Sequence, residues 1–201
     1  MKVAILFEFS GIVRDAFIRH GHDAVSCDLL PSERPGPHIQ ADVFDLNWYG
    51  DHIWYGYDLI IAHPPCTHIA SSGNRWYAAT LSRFAAASFI AQVWALPCDR
   101  MCIENPKGQI NAYLPNMPTP QYIHPWEYGH GEKKITGLWK RNLPDLIPTN
   151  IVDGRVPRVH MAPDSKDRWK NRSRFYTGIA EAMAQQWGNL NYHERSSECT
   201  F

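Results

Sequence analysis

A chain of 201 residues that is 44% hydrophobic and 20% charged can bury one good-sized core, and this composition excludes a disordered or fibrous protein. Its apolar runs fall short of the roughly 20 residues a membrane helix needs, and the opening MKVAILFEF lacks a signal-peptide pattern, so neither a membrane nor export is expected. Twenty Lys and Arg balance twenty Asp and Glu, yet residues 133–174 hold eleven bases against four acids, an excess of seven that suits an anionic partner such as a nucleic-acid backbone.

Residues 2–7 (KVAILF) form an apolar run that predicts a strand, and Glu8 to Gly11 a turn. Ile12, Val13, Ala16 and Phe17 carry helical spacing up to Gly21, a C-cap candidate. Short strands are expected at 24–28, ending on Asp28, and at 38–43, with Asp42 near its end. Residues 59–62 (LIIA) are a fourth strand, stopped by His63 and two prolines that cannot continue the hydrogen-bond ladder. The Ala-rich stretch 76–96 reads as a packing helix, and 99–103 as a strand closed by Glu104, Asn105 and Pro106. Late strands are expected at 135–139 and 143–148, a closing helix at 178–187, and a flexible tail at 191–201.

This alternation predicts an α/β fold, a mostly parallel twisted sheet flanked by helices. A single domain over 1–190 is expected, with 111–165 an irregular subregion rich in Pro and aromatics. Five cysteines, at 27, 66, 98, 102 and 199, show no disulfide framework and only one close pair, so a reducing cytoplasm is expected and a metal site is not.

Two groups of residues carry chemistry. Glu8 beside Ser10 and Gly11, then Asp28, then Asp42, are acids at successive strand ends. A glycine turn opening a helix lets backbone N–H groups approach a ligand, an acid after the second strand can bind ribose hydroxyls, and one after the third can accept from an adenine amine. The second group is HPPC at 63–66 with IENP at 103–106, a thiol and a carboxyl group each at the end of a buried strand. In a parallel sheet such ends can be neighbours. Addition of a thiolate to ring carbon 6 of a pyrimidine, with an acid at ring nitrogen 3, needs that pair. Arg172 and Arg174, one residue apart, can point the same way and hold the base carbonyl and the acid.

FSGI at 9–12, Asp28, Asp42, PPC at 64–66, EN at 104–105 and NRSR at 171–174 follow one another in the order used by DNA (cytosine-5)-methyltransferases, and the chain resembles that family. The helix GIAEAMAQQW resembles the family's closing motif, and HPPCT, GHGE and TN-IVDGR look like those of compact phage and prophage members. The resemblance implies a Rossmann-like methyltransferase fold, S-adenosyl-L-methionine as cofactor, and methylation of carbon 5 of cytosine in DNA in the cytoplasm of a bacterial host. Phe9, Ser10, Gly11 and Ile12 would line the methionine end of the cofactor pocket, Asp28 with Leu29 its ribose, and Asp42 with Val43 its adenine, with Pro64 and Thr177 completing the pocket. Cys66 would be the nucleophile, Glu104 would activate the base, Asn105 would fix the loop, and Arg174 with Arg172 would contact a flipped cytosine. Related enzymes that methylate exocyclic amines end this loop in an aromatic residue, so Cys66 favours carbon methylation.

The chain departs from the family in several places. Val13 and Arg14 stand where the cofactor loop has more glycine, and Pro106 follows Glu104 and Asn105. Only two residues separate Arg174 from Thr177, where a full member inserts a large target-recognition domain, and the 111–165 segment is the candidate substitute. A free pyrimidine nucleotide as substrate, or a non-catalytic nucleic-acid-binding relative, are the alternatives.

Overall fold

The computed structural model describes residues 1–45, 47–48, 51–71, 81–157, 170 and 173–190. Its sheet grows from β1 (Lys2–Leu6), in which Val3 to Leu6 are fully buried. A strand covered on both faces needs apolar side chains at every position, which is why the sequence shows a continuous run rather than alternation. β2 (Asp23–Asp28) pairs parallel with one side of β1 and β3 (His38–Gln40) lies beyond it, while β6 (Leu59–Ala62) and β7 (Met101–Pro106) continue in parallel on the other side. β9 (Thr136–Arg141) runs antiparallel to β7, and β8 (Gln121–Ile123) closes the edge. The order is β3-β2-β1-β6-β7-β9-β8. The two-residue strands β4 (Asn47–Trp48) and β5 (Asp51–His52) form a separate hairpin.

Side chains alternate between the two faces and divide the core. Val3, Ile5, Leu59, Ile61 and Cys102 pack under α1 (Ile12–Arg19) and the closing helix α4 (Thr177–Gly188), against Val13, Phe17, Ile179, Met183 and Trp187. Ala4, Leu6, Ile60, Ala62, Met101 and Ile103 face α2 (Leu81–Trp94), against Ala87, Ile90 and Val93, with Trp54 and the short α3 (Ile110–Tyr113) beside them. Each fully buried Leu or Ile is worth about 1.5–3 kcal/mol relative to exposure. Gly21, at φ 82°, ends α1 in the left-handed region, as its position as a C-cap predicts.

The Rossmann-like α/β sheet is the expected one, but four elements differ from expectation. β3 stops at Gln40, because the Asp42 side chain accepts the Phe44 N–H (2.9 Å) and pulls the chain into a turn before Val43 can join the ladder. β7 runs on through Glu104 and Asn105 to Pro106, because the antiparallel β9 pairs with it as far as Pro106–Thr136. β8 lies between prolines and is too short to show a period. The expected strand at 143–148 is a loop, in which the Gln121 amide takes the place of a neighbouring strand. It donates to the Leu146 carbonyl and accepts the Leu146 N–H, both at 2.8 Å. The start of the helix expected at 76–96, together with the 191–201 tail, lies partly or wholly outside the described residues.

Candidate active site

The chain order reverses between β1 and β6, and in open α/β sheets a crevice opens beyond the carboxyl ends of the strands at such a point. The register pairs Leu6 with both Cys27 and Ala62, and Ala62 with Ile103. Phe7, Asp28, His63 and Glu104 therefore lie at one level at the carboxyl edge, although β7 itself continues to Pro106. They line a single cleft of about 1290 Å³.

At its first end the chain turns sharply after β1, with Phe7 at φ 59° and Gly11 at φ 69°. The Glu8 carboxylate folds back onto the start of α1, accepting the Val13 N–H (2.7 Å), the Arg14 N–H (3.2 Å) and the Ser10 hydroxyl (3.2 Å). These helix N–H groups, expected from the glycine turn to meet a ligand, are thus satisfied within the chain, and the negative charge sits where the helix dipole favours it. Arg14 explains the missing glycine. Its guanidinium is fully buried, pairs with Asp15, and donates to Ser26, Ser32 and the carbonyls of Arg34 and Pro35, tying α1 to the 31–37 loop. A Cβ at Gly11 would meet that guanidinium at 2.5 Å, so Gly11 is required by both contact and φ.

Asp28 and Asp42 line the same end with Leu29, Leu30 and Val43. Burial pushes the Asp28 carboxyl up, an effect that the Leu30 N–H and His38 only partly offset. Phe7 and Phe89 form an apolar wall, their rings 5.4 Å apart.

The centre is built by β6 and β7. Beyond Ala62 the His63 N–H still bonds to the Leu6 carbonyl (2.9 Å), and then Pro64 and Pro65 take the chain out of the sheet. The Cys66 carbonyl accepts from Ile69 and Ala70, so the thiol stands at the start of a tight turn facing the cleft. Asn105 donates to the Pro64 carbonyl (2.9 Å) and fastens this loop to β7. Cys27, Cys98 and Cys102 are buried, and loss of hydration pushes their thiols up, that of Cys27 to about 12 with the charge of Asp28 assisting. Among the described cysteines Cys66 alone is half-exposed.

Glu104 is buried beside Cys66's loop and accepts a hydrogen bond from His63 Nδ1 at 3.1 Å. Burial by itself would raise its carboxyl. The His63 hydrogen bond and the positive charge of Lys134 outweigh burial and hold it below the usual carboxylate range.

The far end is basic and aromatic, with Lys107, His124, Trp126, Lys133, Lys134 and Arg155 on its wall. His124 stacks on Trp126 (5.6 Å, 27°), and the Arg155 guanidinium lies over the same indole at 3.7 Å.

Of the residues singled out from sequence, Phe9, Ser10, Asp28, Leu29, Asp42, Val43, Pro64, Cys66, Glu104 and Asn105 line this cleft. Ile12 instead packs in the core under α4. Arg174 forms a two-pronged ion pair with Glu33 at 2.7 and 2.8 Å, which places it on the 31–37 loop rather than on Glu104. Thr177 meets His130 at 3.3 Å and is not part of the cleft wall. Arg172 lies outside the described residues. Sequence reasoning gave no role to His63, although its place before Pro-Pro at a strand end was a signal, and it treated Trp126 and Arg155 only as members of a region.

No family model matches the chain, and no curated protein matches it. Among solved structures it is similar to a candidate DNA modification methyltransferase encoded within a prophage of E. coli, with 17% identity, TM-score 0.49, and coverage of 76% of this chain and 52% of that one. It is also similar to S. pombe Dnmt2 methyltransferase (15% identity, TM-score 0.42, 80% of this chain and 53% of that one). A third is a triple mutant of Spodoptera frugiperda DNMT2 (15%, TM-score 0.44, 82% and 60%). The chain thus spans between half and three fifths of the length of these proteins. At these identities and scores the likeness decides nothing about chemistry, which rests on the side chains of the cleft.

Proposed function

We propose that the protein transfers a methyl group from S-adenosylmethionine to carbon 5 of cytosine in DNA through a covalent adduct on Cys66. The observation that carries this reading is that Cys66, on the loop after β6, and Glu104, on the adjacent β7, line one cleft between its acidic and basic ends. The acidic end fits the cofactor. Asp28 has the position to accept from ribose hydroxyls, Asp42 from an adenine amine, and the phenyl rings of Phe7 and Phe89 suit a flat heterocycle. When bound, S-adenosylmethionine supplies an electrophilic methyl group. The basic and aromatic end suits a phosphate backbone and an unstacked base.

The Cys66 thiolate adds to ring carbon 6, and the displaced π electrons make carbon 5 nucleophilic while ring nitrogen 3 takes a proton on the Glu104 side. Asn105 keeps the thiol in place through the Pro64 carbonyl.

The test is methyl transfer from labelled cofactor to DNA, with dCMP and RNA as parallel acceptors. DNA should be labelled at cytosine carbon 5, and Cys66→Ala should lose transfer while retaining cofactor binding by calorimetry. Transfer that persists in Cys66→Ala, or labelling at the exocyclic amine, rejects the covalent mechanism; labelling of dCMP alone moves the substrate to free nucleotides.

A further inference from the structure

Three cations at the basic end of the cleft are each paired with an aromatic ring. Lys107 Nζ stands 5.8 Å from the centre of the Tyr122 ring, Lys134 Nζ 5.8 Å from that of Tyr176, and the Arg155 guanidinium 3.7 Å from that of Trp126. Each lies within the about 6 Å at which a ring face attracts a cation. All three cations, and Trp126 itself, line the cleft. Lys107 and Arg155 have no acidic partner among the described residues, so their charge is left for an anion.

We propose that the DNA strand this site takes is unpaired: the basic end is a single-strand track, in which the aromatic rings stack bases that flank the target cytosine and the cations hold the phosphates between them. The inference rests on the reading above for the identity of the ligand as DNA, and adds the form in which DNA is bound.

In a duplex the faces of each base are covered by its neighbours, and the surface offers only phosphates and base edges. A duplex would satisfy the lysines and Arg155 and leave the rings idle. An unpaired strand presents base faces as well as phosphates, and every base has a face, so interleaved rings and cations fit it whatever its sequence. Thiolate addition to carbon 6 comes from above the ring plane, so the target must leave its stack, and an unpaired cytosine does so at least cost.

The rings and cations are held in place by the fold. Trp126 lies in a short 3₁₀ turn, Pro125–Glu127, and stacks against His124 (5.6 Å, 27°). Its carbonyl accepts the Val152 N–H (3.0 Å). Val156 donates to the Gly131 carbonyl (3.1 Å) and accepts the Lys133 N–H (3.2 Å), which fixes Arg155 beside the segment that carries Lys134. Tyr122, on β8, is 44% exposed and faces Gly137 across the β8–β9 pair, where a Cβ would crowd its ring at 3.3 Å. Tyr176 stands directly before α4 and packs on His130 with centroids 5.2 Å apart. Lys134 also acts on Glu104, so the Tyr176 pair joins the track to the centre of the cleft.

Fluorescence anisotropy of a short labelled oligonucleotide with one central cytosine tests this. Four forms are compared at one salt concentration: the single strand, its perfect duplex, the single strand with abasic residues on both sides of the cytosine, and RNA of the same sequence. The single strand should bind about 10-fold or more tighter than the duplex, and the abasic strand, which keeps every phosphate, about 5- to 100-fold weaker than the full one. Trp126→Ala should lose a similar factor on the single strand and less on the duplex, and Trp126→Phe should restore most of it. Thermal melts establish that both variants are folded, and Tyr122→Leu, at an exposed position, repeats the measurement without touching the 3₁₀ turn. Duplex bound as tightly as the single strand, an abasic strand bound as tightly as the full one, variants that weaken both forms by one factor, or tighter binding of RNA each overturns the proposal. Methyl transfer to the same strands tells the two readings apart. Transfer confined to the duplex overturns the single-strand track and leaves the cytosine reading standing, whereas single-strand preference without any transfer supports the track and removes the cytosine reading.

Discussion

Glu8 offers the sharpest test of what the strand-end acids do. A pocket acid and a helix cap predict opposite results when the carboxylate is removed. The structure places it as a cap, buried, accepting two backbone N–H groups of α1 and the Ser10 hydroxyl. In Glu8→Ala the buried Val13 and Arg14 N–H groups lose their acceptor. Loss of an N-cap acceptor costs about 0.5–2 kcal/mol, and loss of the charge at the helix start adds about 0.3–1 kcal/mol. The expected destabilisation is thus about 1–3 kcal/mol, with Glu8→Gln lying between it and wild type because the amide retains one acceptor oxygen. Urea unfolding followed by tryptophan fluorescence measures it, since buried Trp54, Trp139 and Trp187 report on both faces of the sheet. A Glu8→Ala midpoint within about 0.3 kcal/mol of wild type, together with a large loss of cofactor affinity, would refute the capping argument.

Three further outcomes follow from the same geometry. Arg14→Leu should cost about 2–4 kcal/mol, because it removes the buried guanidinium that Asp15, Ser26, Ser32 and the carbonyls of Arg34 and Pro35 share, and limited proteolysis should then cut the 31–37 loop faster. The Glu104 carboxyl lies below its ordinary value of 4.5, so its contribution to stability is complete above that value and is lost as pH falls through the lower folded value. In His63→Ala burial of Glu104 is opposed by Lys134 without the hydrogen bond, its carboxyl moves up, and the variant should lose more stability at pH 7 than at pH 5 in thermal melts. Replacing Arg155 by Glu should weaken DNA binding about uniformly across sequences and flatten its salt dependence in fluorescence anisotropy, with thermal stability unchanged.

The sheet was legible in the sequence wherever a strand is buried on both faces. KVAIL, LIIA and MCI stand out because both sides of each strand need apolar residues. The thiol and carboxyl positions were legible for a related reason. Proline cannot extend a ladder, so HPPC and IENP had to lie at or near strand ends, and the alternation of strands and helices placed those ends on one edge. Local chemistry therefore determined the sheet, its carboxyl edge, and Cys66 and Glu104 upon it.

Tertiary structure alone decided how these groups are partnered. The loop at 143–148 depends on the Gln121 side chain satisfying backbone 25 residues away, which no periodicity records. The helix N–H groups expected to meet a ligand are instead taken by Glu8, because a chain reversal brings its carboxylate over the N–H groups five and six residues on. Arg174 went to Glu33 across 141 residues, and Glu104 took its hydrogen bond from His63 across 41. Hydrogen bonds and ion pairs are satisfied by whichever complementary group the fold brings within about 3 Å. The edge of the sheet was written in the chain; the company kept at that edge came from the packing of elements distant in sequence.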